Sequence, residues 1–155
     1  MDNALLEERV QQAVELFMQG YSCSQSVVMA FSDLYVVDPK TACRMATGFG
    51  GGVGRMRMMC GAVSGIVMLA GLDTDPEGSA SAKSGCYKIV QELVETFRQR
   101  NGSIICAELL KGCPVTPGTA ASERNAEYYK SRPCAQKVES AARVFAEYLK
   151  SKNYE

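Results

Sequence analysis

Apolar residues recur every three or four positions along most of the chain, a spacing typical of α-helices with one buried face. The first such stripe runs from Leu5 to Phe17, and Gly20 suits its end. No segment shows the sustained alternation of apolar and polar residues that marks a half-buried strand. The sequence also contains no internal repeat and no linker composition. The pattern therefore predicts one all-α domain over residues 1–155, a multi-helix bundle of about seven to eight helices.

Capping signals indicate where the predicted helices begin. Ser22 and Gln25 have the spacing of a capping box, in which each side chain satisfies the other residue's backbone N–H. Asp38 and Pro39 suit the cap and the first position of the next helix. Ser103 is expected to cap a short sixth helix. The other predicted helices span about Cys60–Leu72, Ala82–Arg100 and Glu123–Lys130, and a last helix begins near Cys134.

The composition excludes several kinds of chemistry. The chain has seven cysteines, eight methionines, and no histidine or tryptophan. Without histidine it contains no Ser–His or Cys–His couple, no HExxH zinc site and no proximal-histidine haem. Seventeen basic residues equal seventeen acidic ones, so the charge gives no argument for nucleic-acid binding. Chemistry in this chain would use thiols, carboxylates, Tyr, Lys or Arg.

The first residues and the apolar segments indicate a compartment. Residues 1–9 lack the basic and apolar regions of a secretion signal. The longest apolar stretch, Met58–Leu72, is interrupted by glycines and is shorter than the ~20 residues that span a bilayer. We therefore expect a cytoplasmic protein with no membrane or nucleic-acid partner. Thiols stay reduced in that compartment, so a group of cysteines favours metal or redox chemistry over structural disulfides.

Four cysteines lie at or near predicted helix starts: Cys23, Cys60, Cys106 and Cys134. A helix N-terminus offers free N–H groups and a partial positive charge, and both favour a thiolate over a thiol. Because thiolates are the nucleophiles and the metal ligands, these four are the candidate catalytic and metal-ligating residues. Their spacing is long and includes no CxxC, so only the fold could bring them together. The alternative is that they pack as small hydrophobic residues.

The other three cysteines lie in different settings. Cys86 is on the apolar face of its predicted helix, and Cys43 lies mid-helix among small and apolar residues. Core packing is the favoured interpretation for both. Cys113 lies in a loop, where a free thiol and an accessory ligand both stay open. The methionines clustered at 56–59 are expected to fill an irregular core or a partner surface.

Residues 48–55 form a glycine-rich run before Cys60. The run does not fit GxGxxG and follows a helix, so a nucleotide site is not indicated. A sharply bent backbone there could bring N–H groups to a sulfur, a cluster or an anion. Arg55 and Arg57 would add positive charge beside Cys60, although solvated arginines on a flexible loop are the alternative. Gly61 and Gly65, four residues apart, permit close helix packing. The candidate cofactor-binding residues are Gly50, Gly51, Gly52, Gly54, Arg55 and Gly61.

Several segments together resemble a known family: residues 20–25 (GYSCSQ), 49–55 (FGGGVGR), 60–65 (CGAVSG) and 101–106 (NGSIIC). The chain resembles the redox-active protein family labelled C_GCAxxG_C_C over nearly its whole length. One departure is that it has Cys60-Gly61-Ala62 where the label has Gly-Cys-Ala. The resemblance places the family's four signature cysteines on the four at helix starts. A related helical domain in split-Soret cytochromes carries an iron–sulfur centre, so the resemblance also implies cluster binding. The CxxCH motif of their haem part is missing from this sequence.

Three functions fit these residues. The first is a redox protein in which the four thiolates hold an iron–sulfur cluster for electron transfer, with zinc as the alternative occupant. The second is thiol–disulfide exchange without a metal, in which Cys23 or Cys60 attacks and another signature cysteine resolves the mixed disulfide. The third is a non-catalytic helical binding or scaffold module whose cysteines only pack. The sequence does not identify the redox partner, and its Met and Gly surfaces suggest a homodimer.

Overall fold

The computed structural model describes residues 2–152 of the 155-residue chain. Within that range the regular structure consists of eight α-helices and two 3₁₀ turns, with no strand, so the all-α multi-helix prediction is confirmed. The α-helices are α1 (Asn3–Met18), α2 (Cys23–Phe31), α3 (Pro39–Ala46), α4 (Gly61–Leu72), α5 (Ala80–Asn101), α6 (Cys106–Leu109), α7 (Ala126–Ser131) and α8 (Cys134–Lys152). The 3₁₀ turns are Ser32–Tyr35 and Thr47–Phe49.

The caps predicted for α2 and α3 are present. The Ser22 side chain accepts the Gln25 N–H at 3.2 Å, and the Gln25 side chain accepts the Ser22 N–H at 2.9 Å. These two bonds complete the capping box. Asp38 accepts the Thr41 N–H at 3.0 Å, and Pro39 takes the first helical position. The capping box matters for the site, because it fixes where α2 begins.

Two helices begin later than predicted. α6 starts at Cys106 and not near Ser103, because the Ser103 hydroxyl accepts the Ile105 N–H at 3.0 Å ahead of the helix. α7 starts three residues after the predicted position. There Asn125 is the cap, and its side chain accepts the Tyr128 N–H at 2.9 Å.

The core lies where α8 packs against α1, α2, α4 and α5. Its largest fully buried side chains include Phe17, Phe31, Phe97, Phe145, Ile66 and Leu69. The rings of Phe31 and Phe145 meet edge to face at 5.1 Å. α4 is apolar on nearly every side because other helices surround it. Among residues 2–152, no helix has both the length and the apolar character needed to cross a membrane.

α2 and α4 approach each other closely because α4 carries glycine at their crossing. A Cβ atom at Gly65 would lie 2.9 Å from the Cβ of Val27, closer than real Cβ atoms come. Gly61, one turn earlier, meets Cys23 in the same way. The small-residue face indicated by the sequence is therefore the face that packs on α2.

Gly65→Ala should destabilise the fold, because the added methyl group overlaps Val27. We expect the free energy of unfolding to fall by about 1–3 kcal/mol, as for other overpacked cores. Gly71→Ala is the matched control on the same helix, where a Cβ atom meets nothing within 4 Å. It should raise the free energy of unfolding by about 0.4–1 kcal/mol. Urea denaturation followed by circular dichroism measures both, and a Gly65→Ala protein as stable as the parent would contradict the packing argument.

Candidate functional site

One cavity brings together the four cysteines that lie at helix starts. Cys23, Cys106 and Cys134 are the first residues of α2, α6 and α8, and Cys60 is the residue before α4. All four line a cavity of about 70 Å³. Pockets for organic ligands span roughly 300–1,000 Å³. This cavity is therefore on the scale of a small inorganic group.

Cys23 is the central thiol of the four. Its sulfur rests against Gly61 so closely that a side chain at that position would overlap it. Of the neighbouring cysteines, Cys23 raises the thiol pKa of Cys60 and of Cys134 the most. Cys106 in turn raises the thiol pKa of Cys23. The sulfurs are therefore near enough to sense one another's charge.

An isolated antiparallel bridge ahead of α4 and α6 places Cys60 beside Cys106. The Cys60 N–H donates to the Ile104 carbonyl at 2.7 Å, and the Cys106 N–H donates to the Met58 carbonyl at 2.6 Å. Two segments that are distant in sequence therefore enter their helices side by side. The bridge explains how cysteines without a local motif reach one site.

The glycine-rich run makes a left-handed turn over the cavity. Residues 51–55 all have positive φ, between 55° and 75°. They include Val53, a β-branched residue for which this region is strained. The turn directs the Gly51 N–H to the sulfur of Cys23. A backbone donor from this run therefore reaches a sulfur.

The other glycines of the run have different surroundings. A Cβ atom at Gly52 would lie 2.7 Å from the Cβ of Cys106, so only glycine allows this approach. Gly50 packs against Ser22, where an added Cβ would lie 3.0 Å from the serine Cβ. Gly54 lies away from the cavity, and its N–H donates to a carbonyl within the turn at 2.7 Å.

The two arginines of this loop point in different directions. Arg55 donates to the carbonyls of Thr116 and Gly118 at 3.1 and 3.0 Å. The structure therefore does not bring Arg55 to the cavity. Arg57 places its Nη1 atom 3.9 Å from the sulfur of Cys106. The positive charge expected beside Cys60 thus lies beside Cys106.

Three polar residues that the sequence did not indicate also line the cavity: Arg124, Tyr128 and Lys137. The guanidinium of Arg124 lies 4.2 Å from the centroid of the Phe17 ring and donates to the carbonyls of Phe17 and Tyr21. The Tyr128 hydroxyl lies near enough to Cys134 to lower the pKa of its thiol. None of the three belongs to a local motif, so no sequence signal marked them.

Burial raises the pKa of three of the four thiols above the ordinary value, so all three are protonated at neutral pH. It raises the pKa of Cys60 to about 12, and the nearby charge of Cys23 adds to the shift. It also raises the pKa of Cys134 to about 11, against the opposing effect of the Tyr128 hydroxyl. The pKa of Cys23 is raised by burial as well, although the Gly51 N–H opposes this. The expectation that helix starts favour thiolates is therefore wrong for these three, because desolvation outweighs the N–H groups.

The remaining three cysteines lie outside the cavity. Cys43 and Cys86 are half-buried and neither packs against the core, so the expected core packing is not found. The sulfur of Cys43 instead accepts a hydrogen bond from Gln25 at 3.3 Å. Cys113 is half-buried in the turn after α6.

The sulfurs surround the cavity and do not converge on one point. In the described part of the chain, no three Cys, His, Asp or Glu side chains are arranged so that they could hold a metal ion. A cluster spreads its protein ligands over several metal atoms, so four thiols around one cavity suit it better than they suit a single ion. Sulfurs that sense one another's charge also fit disulfide chemistry between a pair of them.

The raised thiol pKa values predict a distinct pH profile for alkylation. In the folded chain, the reaction of Cys60 with iodoacetamide should keep rising well above pH 9, because only the thiolate reacts. Cys134 should reach half of its maximal rate first, near pH 11. Peptide-resolved mass spectrometry measures both rates, and the urea-unfolded chain is the control, with midpoints near the ordinary pKa of 9.0. A midpoint near pH 9 for folded Cys60 would contradict its burial.

Comparison with known proteins gives one family match. The family model described as "Putative redox-active protein (C_GCAxxG_C_C)" matches residues 21–148, which include all four cavity cysteines and the glycine-rich run. No curated protein and no solved structure matches the chain. The matched range covers most of the described residues. The chain thus belongs to the C_GCAxxG_C_C family.

Proposed function

We propose that this protein transfers electrons through an iron–sulfur cluster held by the four cavity cysteines: Cys23, Cys60, Cys106 and Cys134. The observation that carries the proposal is that these four thiols, drawn from four helix starts, line one small cavity. Four cysteine thiolates are the ligand set of both two-iron and four-iron clusters. The small cavity volume supports an inorganic occupant over an organic substrate.

The placement of the sulfurs supports a cluster over a single zinc ion. Structural zinc takes four ligands around one atom, with Zn–S distances of about 2.3 Å. No three candidate ligands among residues 2–152 have such an arrangement. A cluster divides its four thiolates between two irons or among four, so they need not meet at one atom. Zinc is therefore the weaker candidate occupant.

The charges around the cavity support an anionic occupant. Arg124 and Lys137 line it, and its lining contains no Asp or Glu. Arg57 adds a third cation beside Cys106. A cluster with four thiolate ligands carries net negative charge, which these cations would offset.

When bound, the cluster would supply a centre that gains and loses one electron. The protein's own groups would hold the ligands and tune the centre: the Gly51 N–H at Cys23 and the Tyr128 hydroxyl at Cys134. Because the buried thiols are protonated in the metal-free chain, loading must release protons. Uptake should therefore strengthen as the pH rises.

Anaerobic purification and reconstitution test this proposal. Treatment with ferrous iron, sulfide and a thiol reductant should give a coloured protein that contains iron and acid-labile sulfide. Replacement of any one of the four cavity cysteines by Ser should weaken cluster retention by at least about tenfold, since even outer-shell changes have effects of that size. Iron and sulfide analysis with visible spectroscopy provides the measurement.

The chain supplies its own matched controls for this experiment. Cys43→Ser, Cys86→Ser and Cys113→Ser remove thiols that lie outside the cavity, and each should load like the parent. A parent protein that stays colourless and free of iron and sulfide after reconstitution would refute the proposal. Equal losses from the two groups of variants would refute the assignment of the ligands.

Thiol–disulfide exchange is the second candidate, favoured by the mutual electrostatic effects of the sulfurs. A small disulfide would react with two cavity thiols, giving one protein disulfide and two small thiols, and the mixed disulfide would be the intermediate. The central position of Cys23 makes it the expected member of any pair. Alkylation and mass spectrometry in poised glutathione buffers test this, and cavity thiols that never oxidise in pairs would exclude it.

A further inference from the structure

Arg57 has a buried side-chain nitrogen that no group of the described chain satisfies. Only two buried polar side-chain atoms within residues 2–152 have no partner, namely the Nη2 atom of Arg57 and the hydroxyl of Ser64. The other terminal nitrogen of Arg57, Nη1, lies 3.9 Å from the sulfur of Cys106. A buried guanidinium nitrogen without an acceptor is unfavourable. The arrangement therefore suits negative charge at Cys106 or next to it.

The backbone holds Arg57 in this place from two sides. Its N–H donates to the Gly51 carbonyl, and its carbonyl accepts the N–H of Ala107, both at 3.2 Å. Its φ is 61°, a left-handed conformation that an arginine rarely adopts. The residue is thus clamped between the glycine-rich turn and the start of α6. This clamp fixes the direction in which the side chain leaves the backbone.

We propose that Arg57 is a positioning residue for Cys106, which holds that sulfur at the cavity and offsets its negative charge as a ligand. The proposal rests on the proposed cluster function. One-electron reduction by an external donor such as dithionite adds one negative charge and neither forms nor breaks a bond. A fixed cation beside one ligand stabilises that added charge. Arg57 therefore raises the reduction potential of the loaded protein.

Variants of the two loop arginines test this proposal. Arg57→Met and Arg57→Gln remove the charge, and Arg57→Lys keeps it. Arg55→Met is the matched control, since Arg55 shares the loop and a left-handed φ of 64° but bonds to Thr116 and Gly118. Each protein is reconstituted anaerobically with ferrous iron and sulfide. Midpoint potentials are then measured by dye-mediated titration with dithionite.

We expect the two neutral Arg57 variants to keep iron and sulfide but to have more negative midpoint potentials than the parent. Arg57→Lys should restore most of the difference, and Arg55→Met should match the parent. A neutral variant with the parent's potential would overturn the proposal. An equal shift in Arg55→Met would also overturn it, because that effect could not come through Cys106.

A second measurement separates failure of this proposal from failure of the proposed function. A parent protein that takes up no iron or sulfide refutes the cluster, and the contact is then tested in the metal-free chain. There, alkylation of Cys106 by iodoacetamide should be several-fold slower in the neutral Arg57 variants than in the parent, and Arg55→Met should leave it unchanged. Equal rates would overturn the role of Arg57. Circular dichroism shows which variants are folded, and Arg57→Gln replaces Arg57→Met if the latter is not.

Discussion

The contact between the sulfur of Cys23 and the backbone of Gly61 is the constraint on which the site depends. No other residue fits at position 61, because any side chain would overlap the sulfur. Gly65 makes a similar close contact with Val27 one turn later. The starts of α2 and α4 therefore lie together, with their free N–H groups around one volume. Once these two helix starts are fixed, the place of Cys60 is fixed as well, because it is the residue directly before α4.

The other two cysteines reach the same volume through different interactions. The short bridge ahead of α6 attaches Cys106 by backbone hydrogen bonds, so that connection needs no hydrophobic core. The polar segment before Cys134 is attached mainly by arginines, which donate to backbone carbonyls. Arg124 binds the end of α1 in this way, and Arg132 binds the Pro114 carbonyl at 3.2 Å. A segment with few apolar residues is thus held over the cavity by hydrogen bonds and cation–π contacts.

The helical fold and the place of the four cysteines at helix starts were predictable, because the sequence signals for both are local. Helical periodicity and the Ser22 capping box depend on neighbours in sequence. The bridge near residue 105 was not predictable, because a single bridged pair leaves no repeating pattern of apolar and polar residues in the sequence. The directions of Arg55 and Arg57 depend on a left-handed turn whose form no residue pattern specifies. Side-chain environments depend on tertiary packing, and for that reason Met56 and Met58 are 64% and 53% exposed where the sequence left core filling open.

The thiol pKa values were the least predictable feature, and they bear most on function. Helix starts stabilise thiolates, yet burial dominates here, so the metal-free chain holds protonated sulfur among unneutralised cations. Arg124 and Lys137 donate to neutral oxygens, so the cations gain anionic partners only when the sulfurs lose their protons. Under the proposed function, metal uptake and proton release are then one linked event, and the lining cations lower its free energy. The site's affinity would therefore depend on Arg57, Arg124 and Lys137 as well as on its cysteines.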